Sequence, residues 1–169
     1  MKKKYLFLYI IICLLVVGCA TLKESDSENQ TLVVASFTGE PGLVIYLQEI
    51  SGKETYLLQF GSGGLFHSLK IPPGSYSVSK YAIKYKGSGM ITFTGTIRTR
   101  RIEIVYGKVN NLGTIDVLHR MNEVAGGSDA LTLNSRYEYT KSLFSGKYGS
   151  SNWNQREWVN TEFDETDSF

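Results

Sequence analysis

The stretch Leu69–Val78, with the sequence LKIPPGSYSV, decides the fold of this chain. Pro72 and Pro73 have no backbone N–H to donate to a sheet ladder, so they end the strand that precedes them. Gly74 permits the tight turn that follows, because glycine adopts backbone conformations that other residues avoid. From Tyr76 onward, apolar residues alternate with serines. The stretch therefore predicts two strands joined by a tight turn.

Comparable strand signals lie on both sides of this turn. Leu32–Phe37 is apolar and β-branched, and Leu43, Ile45 and Leu47 mark one face of a second strand. The turn at residues 51–53 gives the clearest hairpin signal in the chain. Further strands are predicted over residues 55–60, 65–71, 76–85, 91–97, 102–104 and 109–117.

The apolar face changes phase within the strand that follows Gly74. Tyr76 lies on the even-numbered face, whereas Tyr81 lies on the odd-numbered face. Because side chains alternate strictly along a strand, an extra residue must be inserted, and we predict a bulge or bend near Ser79-Lys80. A second phase change is predicted near Arg100-Arg101.

Residues 31–119 thus hold about seven or eight short strands with turns every eight to twelve residues, which is typical of an antiparallel β-sandwich. Leu69–Val78 resembles a hairpin of prealbumin-like and carboxypeptidase-regulatory-like sandwiches, which are common in bacterial envelope lipoproteins. Ile104–Ile115 resembles the closing hairpin of such domains, with Asn110-Asn111 at a place that is more often apolar or aromatic. The resemblance implies an all-β, immunoglobulin- or prealbumin-like fold and an accessory or binding role.

The N-terminus has the three-part layout of a secretory signal peptide. Three lysines at positions 2–4 precede an apolar run from Tyr5 to Val17, and small Gly18 comes before Cys19. This run is shorter than the roughly 20 apolar residues that cross a bilayer. Residues 1–18 are therefore predicted to be a signal peptide that is removed from the mature protein.

Val16-Val17-Gly18-Cys19 resembles the bacterial lipobox. The resemblance implies that signal peptidase recognises Val16, Val17 and Gly18, and that Cys19 receives diacylglycerol and palmitate-type acyl chains. Two or more chains anchor a protein stably, whereas one does so only marginally. We therefore expect a lipid-anchored protein on the extracytoplasmic side of a cell membrane or outer membrane. The alternative is an ordinary secreted protein in which Cys19 has no such role.

Two segments flank the predicted sandwich. Residues 19–30 are polar and lack periodicity, so they are predicted to be a flexible tether. Residues 120–169 are predicted to be a short helical or irregular extension that packs on the sandwich, with a frayed acidic end. Ser128-Asp129 is a candidate helix cap, and a strand over 131–140 is the alternative. Helical spacing relates four apolar residues of the extension: Leu133, Tyr137, Phe144 and Tyr148.

Charge and cysteine content exclude several classes of function. Three of the 18 Lys and Arg residues belong to the signal peptide, which leaves 15 against 16 acids and a net charge of −1 in the mature chain. This balance argues against a nucleic-acid partner. Of the two cysteines, Cys13 leaves with the signal peptide. The mature chain then has no disulfide and no cysteine metal site.

Basic and aromatic side chains form the candidate partner-binding set. A basic stripe over residues 80–108 would suit lipid head groups, an anionic glycan or an acidic protein. The alternative is charged edge residues that prevent aggregation, together with tryptophans that hold down the C-terminal segment. The candidate residues are Tyr81, Lys84, Tyr85, Arg98, Arg100, Arg101, Trp153 and Trp158.

No catalytic residue, metal site or cofactor is predicted. His67 and His119 could form a site with an acid such as Asp116, but no ligand spacing supports this, and structural histidines are the favoured interpretation. We expect a non-catalytic binding or scaffolding module whose partner is an envelope protein or a glycan. The first alternative is a glycan or small-ligand module that uses surface Tyr and Trp, and the second is a hydrolase.

Overall fold

The computed structural model describes residues 22–39, 42–61, 63–84, 90–93, 101–120 and 128–161. Over these ranges the chain forms ten strands, one α-helix and one 3₁₀-helix. In chain order these are β1 (Leu32–Phe37), β2 (Val44–Glu49), β3 (Thr55–Gln59), β4 (Leu65–Ser68), β5 (Gly74–Lys84), β6 (Met90–Phe93), β7 (Ile102–Ile104), β8 (Val109–Arg120), β9 (Ser128–Asn134), α1 (Tyr137–Lys147), the 3₁₀-helix (Asn152–Gln155) and β10 (Trp158–Asn160). Neither helix of the described ranges is long and apolar enough to cross a membrane.

The strands form two sheets. Sheet 1 has the order β10-β8-β1-β4, with β9 paired to the later part of β8. Sheet 2 has the order β3-β2-β5-β6, with β7 paired to the start of β5. Two pairs, β1 with β8 and β10 with β8, are parallel, and the others are antiparallel. The predicted all-β class is confirmed, and the two sheets are consistent with a sandwich.

A hydrogen bond from Tyr76 stabilises the turn at the start of β5. The Tyr76 hydroxyl donates a hydrogen bond of 2.7 Å to the Pro72 carbonyl oxygen. Gly74 between them has a φ of 152°, which residues with a Cβ rarely adopt. Burial raises the pKa of Tyr76 to about 12, with smaller contributions from Tyr56 and Glu49. The neutral hydroxyl therefore stays a donor to the turn at physiological pH.

The predicted bulge in β5 is confirmed. Lys80 and Val78 pair with consecutive residues of β2, so Ser79 is the extra residue of the ladder. Apolar residues on both sides of the bulge consequently reach the same core. The second predicted phase change, near Arg100-Arg101, falls on a segment that is mostly outside the described residues.

A second bulge lies in β8. Val34 pairs with Asn111 and Ser36 pairs with Thr114, so two residues of β8 face one residue of β1. Gly113 in this bulge has a φ of 73°, and its N–H donates to the Asn111 side-chain oxygen at 3.0 Å. Glycine accommodates this left-handed conformation at little cost.

The centre of sheet 1 is covered on both faces, because all six residues of β1 are buried and β8 is buried over residues 109–115. One face packs on sheet 2 and forms the main core, which includes Val33 of β1, Ile45 of β2 and the aromatic side chain of Phe60. The opposite face packs on α1 and the 3₁₀-helix and forms the outer core. Its buried residues are Leu22, Leu32, Val34, Val109, Phe144, Tyr148 and Trp153.

The C-terminal extension contains a strand before its helix. The expectation that Ser128-Asp129 caps a helix is wrong, because both residues belong to β9, which pairs with β8 from Ser128 to Asn134. The helix α1 begins only at Tyr137, so Leu133 is not on its face. Phe144 and Tyr148 are buried as the helical spacing predicted. Since β9 and β10 join sheet 1, the extension also contributes strands to the fold.

Buried polar side chains tie α1 to sheet 1. The Ser36 hydroxyl lies 2.9 Å from the Thr114 hydroxyl and 2.7 Å from the Thr140 hydroxyl of α1. The Asn111 side-chain amide donates to the Tyr137 carbonyl oxygen at 3.0 Å. Buried polar groups need hydrogen-bond partners, and these bonds supply them for Ser36, Asn111 and Thr140.

Candidate functional site

Residues 22–30 pack against the C-terminal part of the chain, and we call them the N-terminal clasp. The Leu22 side chain is buried in the outer core. Next to it, the Trp153 indole N–H donates to the Lys23 carbonyl oxygen at 2.9 Å. The described part of the expected tether is therefore docked on the domain by one apolar side chain and one indole hydrogen bond.

Polar contacts continue this docking at the start of the 3₁₀-helix. The Glu24 carboxylate accepts hydrogen bonds from the Asn152 backbone N–H at 2.7 Å and from the Ser151 hydroxyl at 3.2 Å. Ser25 exchanges two bonds with the Asn152 side-chain amide, at 3.0 and 3.1 Å. Each such bond contributes about 0.5–1.5 kcal/mol, and those to a charged carboxylate contribute more.

Arg156 holds the far end of the clasp. Its guanidinium donates to the carbonyl oxygens of Ser27 at 3.3 Å, Glu28 at 2.5 Å and Gly107 at 3.3 Å. It also lies 5.8 Å from the centre of the Trp153 ring. One side chain thus joins the clasp, the β7–β8 turn and the C-terminal segment.

A cleft of about 390 Å³ opens where these three segments meet. Tyr106, beside it, is 59% exposed and offers an aromatic ring to solvent. Gly107 keeps the turn close to the clasp, because a Cβ there would come within 3.0 Å of the Glu28 carbonyl oxygen. The lining consists of Glu28, Asn29, Tyr106, Gly107, Lys108, Gln155, Arg156 and Glu157.

The charges that line this cleft are balanced. The Lys108 ammonium forms an ion pair with the Glu157 carboxylate. The Arg156 guanidinium donates to three backbone carbonyl oxygens. An exposed ring beside amide groups such as those of Asn29 and Gln155 suits a neutral ligand rich in hydroxyl groups, because the amides donate and accept hydrogen bonds.

The structure separates the described members of the predicted partner-binding set. Tyr81 is only 3% exposed and belongs to the main core, so its ring does not lie at the surface. Arg101 forms an ion pair with Glu103 and donates to the Ser75 hydroxyl at 2.9 Å. The remaining members fall outside the residues whose side chains are described: Lys84, Tyr85, Arg98 and Arg100.

The described cations of the predicted basic stripe lie on different sheets. Lys80 belongs to β5 of sheet 2, and its ammonium lies 4.4 Å from the centre of the Tyr46 ring. Arg101 precedes β7 of the same sheet, whereas Lys108 precedes β8 of sheet 1 and lines the cleft. These three side chains each already have a partner within the domain.

Both tryptophans hold the C-terminal segment in place. Trp153 is fully buried in the outer core. Trp158 is partly buried and packs edge-on against Phe144, with ring centres 5.3 Å apart. Its indole N–H donates to the Trp153 carbonyl oxygen at 3.2 Å. The interpretation of these residues as structural anchors fits this packing, since buried indoles find hydrogen-bond partners.

His67 lies at the seam between β4 and the end of α1. Its ring meets the Tyr148 ring edge-on at 5.1 Å, and its Nδ1 lies 3.5 Å from the Tyr148 hydroxyl. Burial, and next the charge of Lys147, lower the pKa of His67. The His119 side chain lies outside what the structure describes. In the described part of the chain, no three His, Cys, Asp or Glu residues are grouped as metal ligands.

The lipobox residues Val16, Val17, Gly18 and Cys19 lie outside the described residues. No family model, no curated protein and no solved structure matches this chain. Tyr106 and the cleft beside it are not among the residues predicted from the sequence. The signal in the sequence was an aromatic residue directly before the turn glycine Gly107, because a large side chain in an exposed turn is open to a ligand.

Proposed function

We propose that this chain is a bacterial lipoprotein whose β-sandwich domain, of prealbumin-like type, acts as a non-catalytic binding or scaffolding module of the cell envelope. The observation that carries the proposal is the sequence Val16-Val17-Gly18-Cys19 at the end of a signal-peptide layout. Lipid on Cys19 would attach the domain to the extracytoplasmic side of a cell membrane or outer membrane. The partner is then another envelope protein or a glycan.

The positions of the described side chains support binding rather than catalysis. His67 packs against an aromatic ring, and the Asp116 carboxylate accepts a hydrogen bond from Thr38. These groups serve contacts within the fold at separate places. The open surface at the cleft, by contrast, offers an aromatic ring and hydrogen-bonding groups.

The anchor is tested by labelling cells with an alkyne fatty acid. The wild-type protein should incorporate the label, and Cys19→Ala should lose it and keep its signal peptide. Cys13→Ala is the matched control, because it removes the other cysteine and leaves the lipobox intact. Continued labelling of Cys19→Ala would overturn the anchor.

The cleft favours a second candidate function, a binding module for a glycan or small polar ligand. Exposed Tyr106 and the nearby amides of Asn29 and Gln155 support this candidate. A screen of immobilised envelope glycans should show binding by the wild-type domain and weaker binding by Tyr106→Ala. Tyr139→Ala is the control, because Tyr139 is also exposed but lies on α1. Equal loss in both variants, or no binding by wild type, would contradict this candidate.

A further inference from the structure

The N-terminal clasp limits how far the folded domain can stand from its anchor. Leu22 is buried in the outer core, and Glu24 and Ser25 are bonded to Asn152. Only three residue steps separate Leu22 from Cys19, and these span at most about 10 Å when fully extended. The described contacts therefore fix a point on the domain that is within one short chain length of the lipidated residue.

We propose that the clasp holds one end of the domain directly against the membrane surface. This inference rests on the proposed lipid anchor at Cys19 and adds the face of the domain that meets the bilayer. That face contains the clasp, the start of the 3₁₀-helix and the exposed residue Ser150 beside it. A free tether over residues 19–30 would give a reach of about 40 Å and no preferred orientation.

The direction of β1 identifies the opposite end. The strand leaves the clasp at Leu32 and runs to Phe37, a length of about 20 Å for its six residues. The Phe37 N–H donates to the Gly64 carbonyl oxygen, and the Gly64 N–H donates to that of Gly61. The loop at Gly61 thus lies at the end of β1 that is far from Gln30, the last residue of the clasp.

The cleft shares the membrane side with the clasp. Glu28 and Asn29 of the clasp line it, and the Arg156 guanidinium bonds the clasp at the Glu28 carbonyl oxygen. A ligand of this cleft would consequently be met at the bilayer surface. The lipid surface itself is the partner that the clasp geometry specifies, because the chain length between anchor and domain leaves little room for another layer.

The test uses the full lipidated protein in vesicles that contain a head-group-attached quencher. Fluorescent labels are placed at Ser150→Cys, near the clasp, or at Gly61→Cys, at the far end. Both positions accept a label: Ser150 is exposed, and a Cβ at Gly61 meets no atom within 4 Å. The lipid on Cys19 occupies its sulfur, and Cys13 leaves with the signal peptide, so each variant carries a single reactive thiol.

We expect several-fold stronger quenching at Ser150→Cys than at Gly61→Cys. Adding Glu24→Ala or Leu22→Ser should release the clasp and bring the two signals together, with faster amide exchange over residues 22–30 as the independent sign of release. Lys23→Ala is the matched control, because Lys23 docks through its carbonyl oxygen, whereas its side chain pairs with exposed Asp26 of the clasp itself.

The experiment distinguishes failure of this inference from failure of the proposed function. Mass spectrometry of the Cys19 peptide comes first, and an unmodified peptide overturns the anchor and the inference together. A lipidated peptide with equal quenching at the two positions overturns the membrane-facing orientation and leaves the anchor standing. An unchanged difference after release of the clasp likewise overturns the role assigned to the clasp.

Discussion

The two cores of this domain differ in how their residues come together. The main core collects alternating residues of neighbouring strands, such as Ile45 and Leu47 of β2 and Leu58 of β3. The outer core joins Leu22 to Trp153, residues that lie at opposite ends of the chain. One core follows from local alternation, and the other depends on the docking of the clasp and of the segment from α1 to β10 on the same face of sheet 1.

The two cores together explain why β1 is buried along its whole length. Its odd-numbered residues enter the main core, and Leu32 and Val34 enter the outer core. A strand covered on one face only would alternate between buried and exposed positions. Complete burial therefore requires the C-terminal helices and the clasp as a second cover.

We expect the greatest loss of stability when a buried aromatic residue is removed from either core. Phe60→Ala and Trp153→Ala should each lower the free energy of unfolding by about 3–5 kcal/mol, because each leaves a cavity in a packed core. Both residues are at most 1% exposed. Urea unfolding measures this loss for both variants.

Amide exchange distinguishes the two substitutions. Trp153→Ala also removes the indole bond to the Lys23 carbonyl oxygen, so protection should fall most over residues 22–30 and in α1. Phe60→Ala should reduce protection in both sheets. Equal loss of protection in sheet 2 for both variants would show that the two cores unfold as one unit.

A smaller loss of stability is expected when a hydroxyl contact between sheet 1 and α1 is removed. Thr140→Val keeps the shape of the side chain but removes the bond to the Ser36 hydroxyl. We expect a loss of about 1–3 kcal/mol in urea unfolding, because a buried hydroxyl loses a partner. Thr55→Val is the control: its hydroxyl bonds Gln48 at the exposed surface, so the change should stay within about 0.5 kcal/mol. Equal losses would contradict the structural role of the buried contact.

Local patterns predicted the sheet-forming parts of the molecule. The turn at Gly74 and the bulge at Ser79 follow from short stretches in which proline, glycine and alternation act on adjacent residues. The hairpin of β2 and β3 was likewise predicted from its turn residues. In each case the residues that determine the local structure are only a few positions apart, so the structure can be predicted from a short stretch of sequence.

The docking of the clasp on the C-terminal segment could not be predicted from local patterns. The clasp has one apolar residue, Leu22, in a polar stretch, and its partner Trp153 is 131 positions later in the numbering. No periodicity links such residues, and the polar composition favoured a free tether. Helical spacing relates Leu133 to Tyr137 and Phe144, with a strand over 131–140 as the alternative, and pairing with the long strand β8 determines the conformation of Leu133.

The smallest effect concerns His67, at the seam between β4 and α1 beside the outer core. Because burial and Lys147 lower its pKa in the folded state, the unfolded chain binds this proton more readily. The free energy of unfolding should therefore be fully retained above the ordinary histidine pKa of about 6.5 and fall as the pH drops below it.

Lys147→Gln removes the second cause only, so the pKa of His67 should rise part of the way towards its ordinary value in an NMR titration. Lys141→Gln, whose ammonium lies over the Trp158 ring, should leave that pKa unchanged. If Lys147→Gln had no effect on the pKa of His67, burial alone would account for the shift, and the charge of Lys147 would have no part in it.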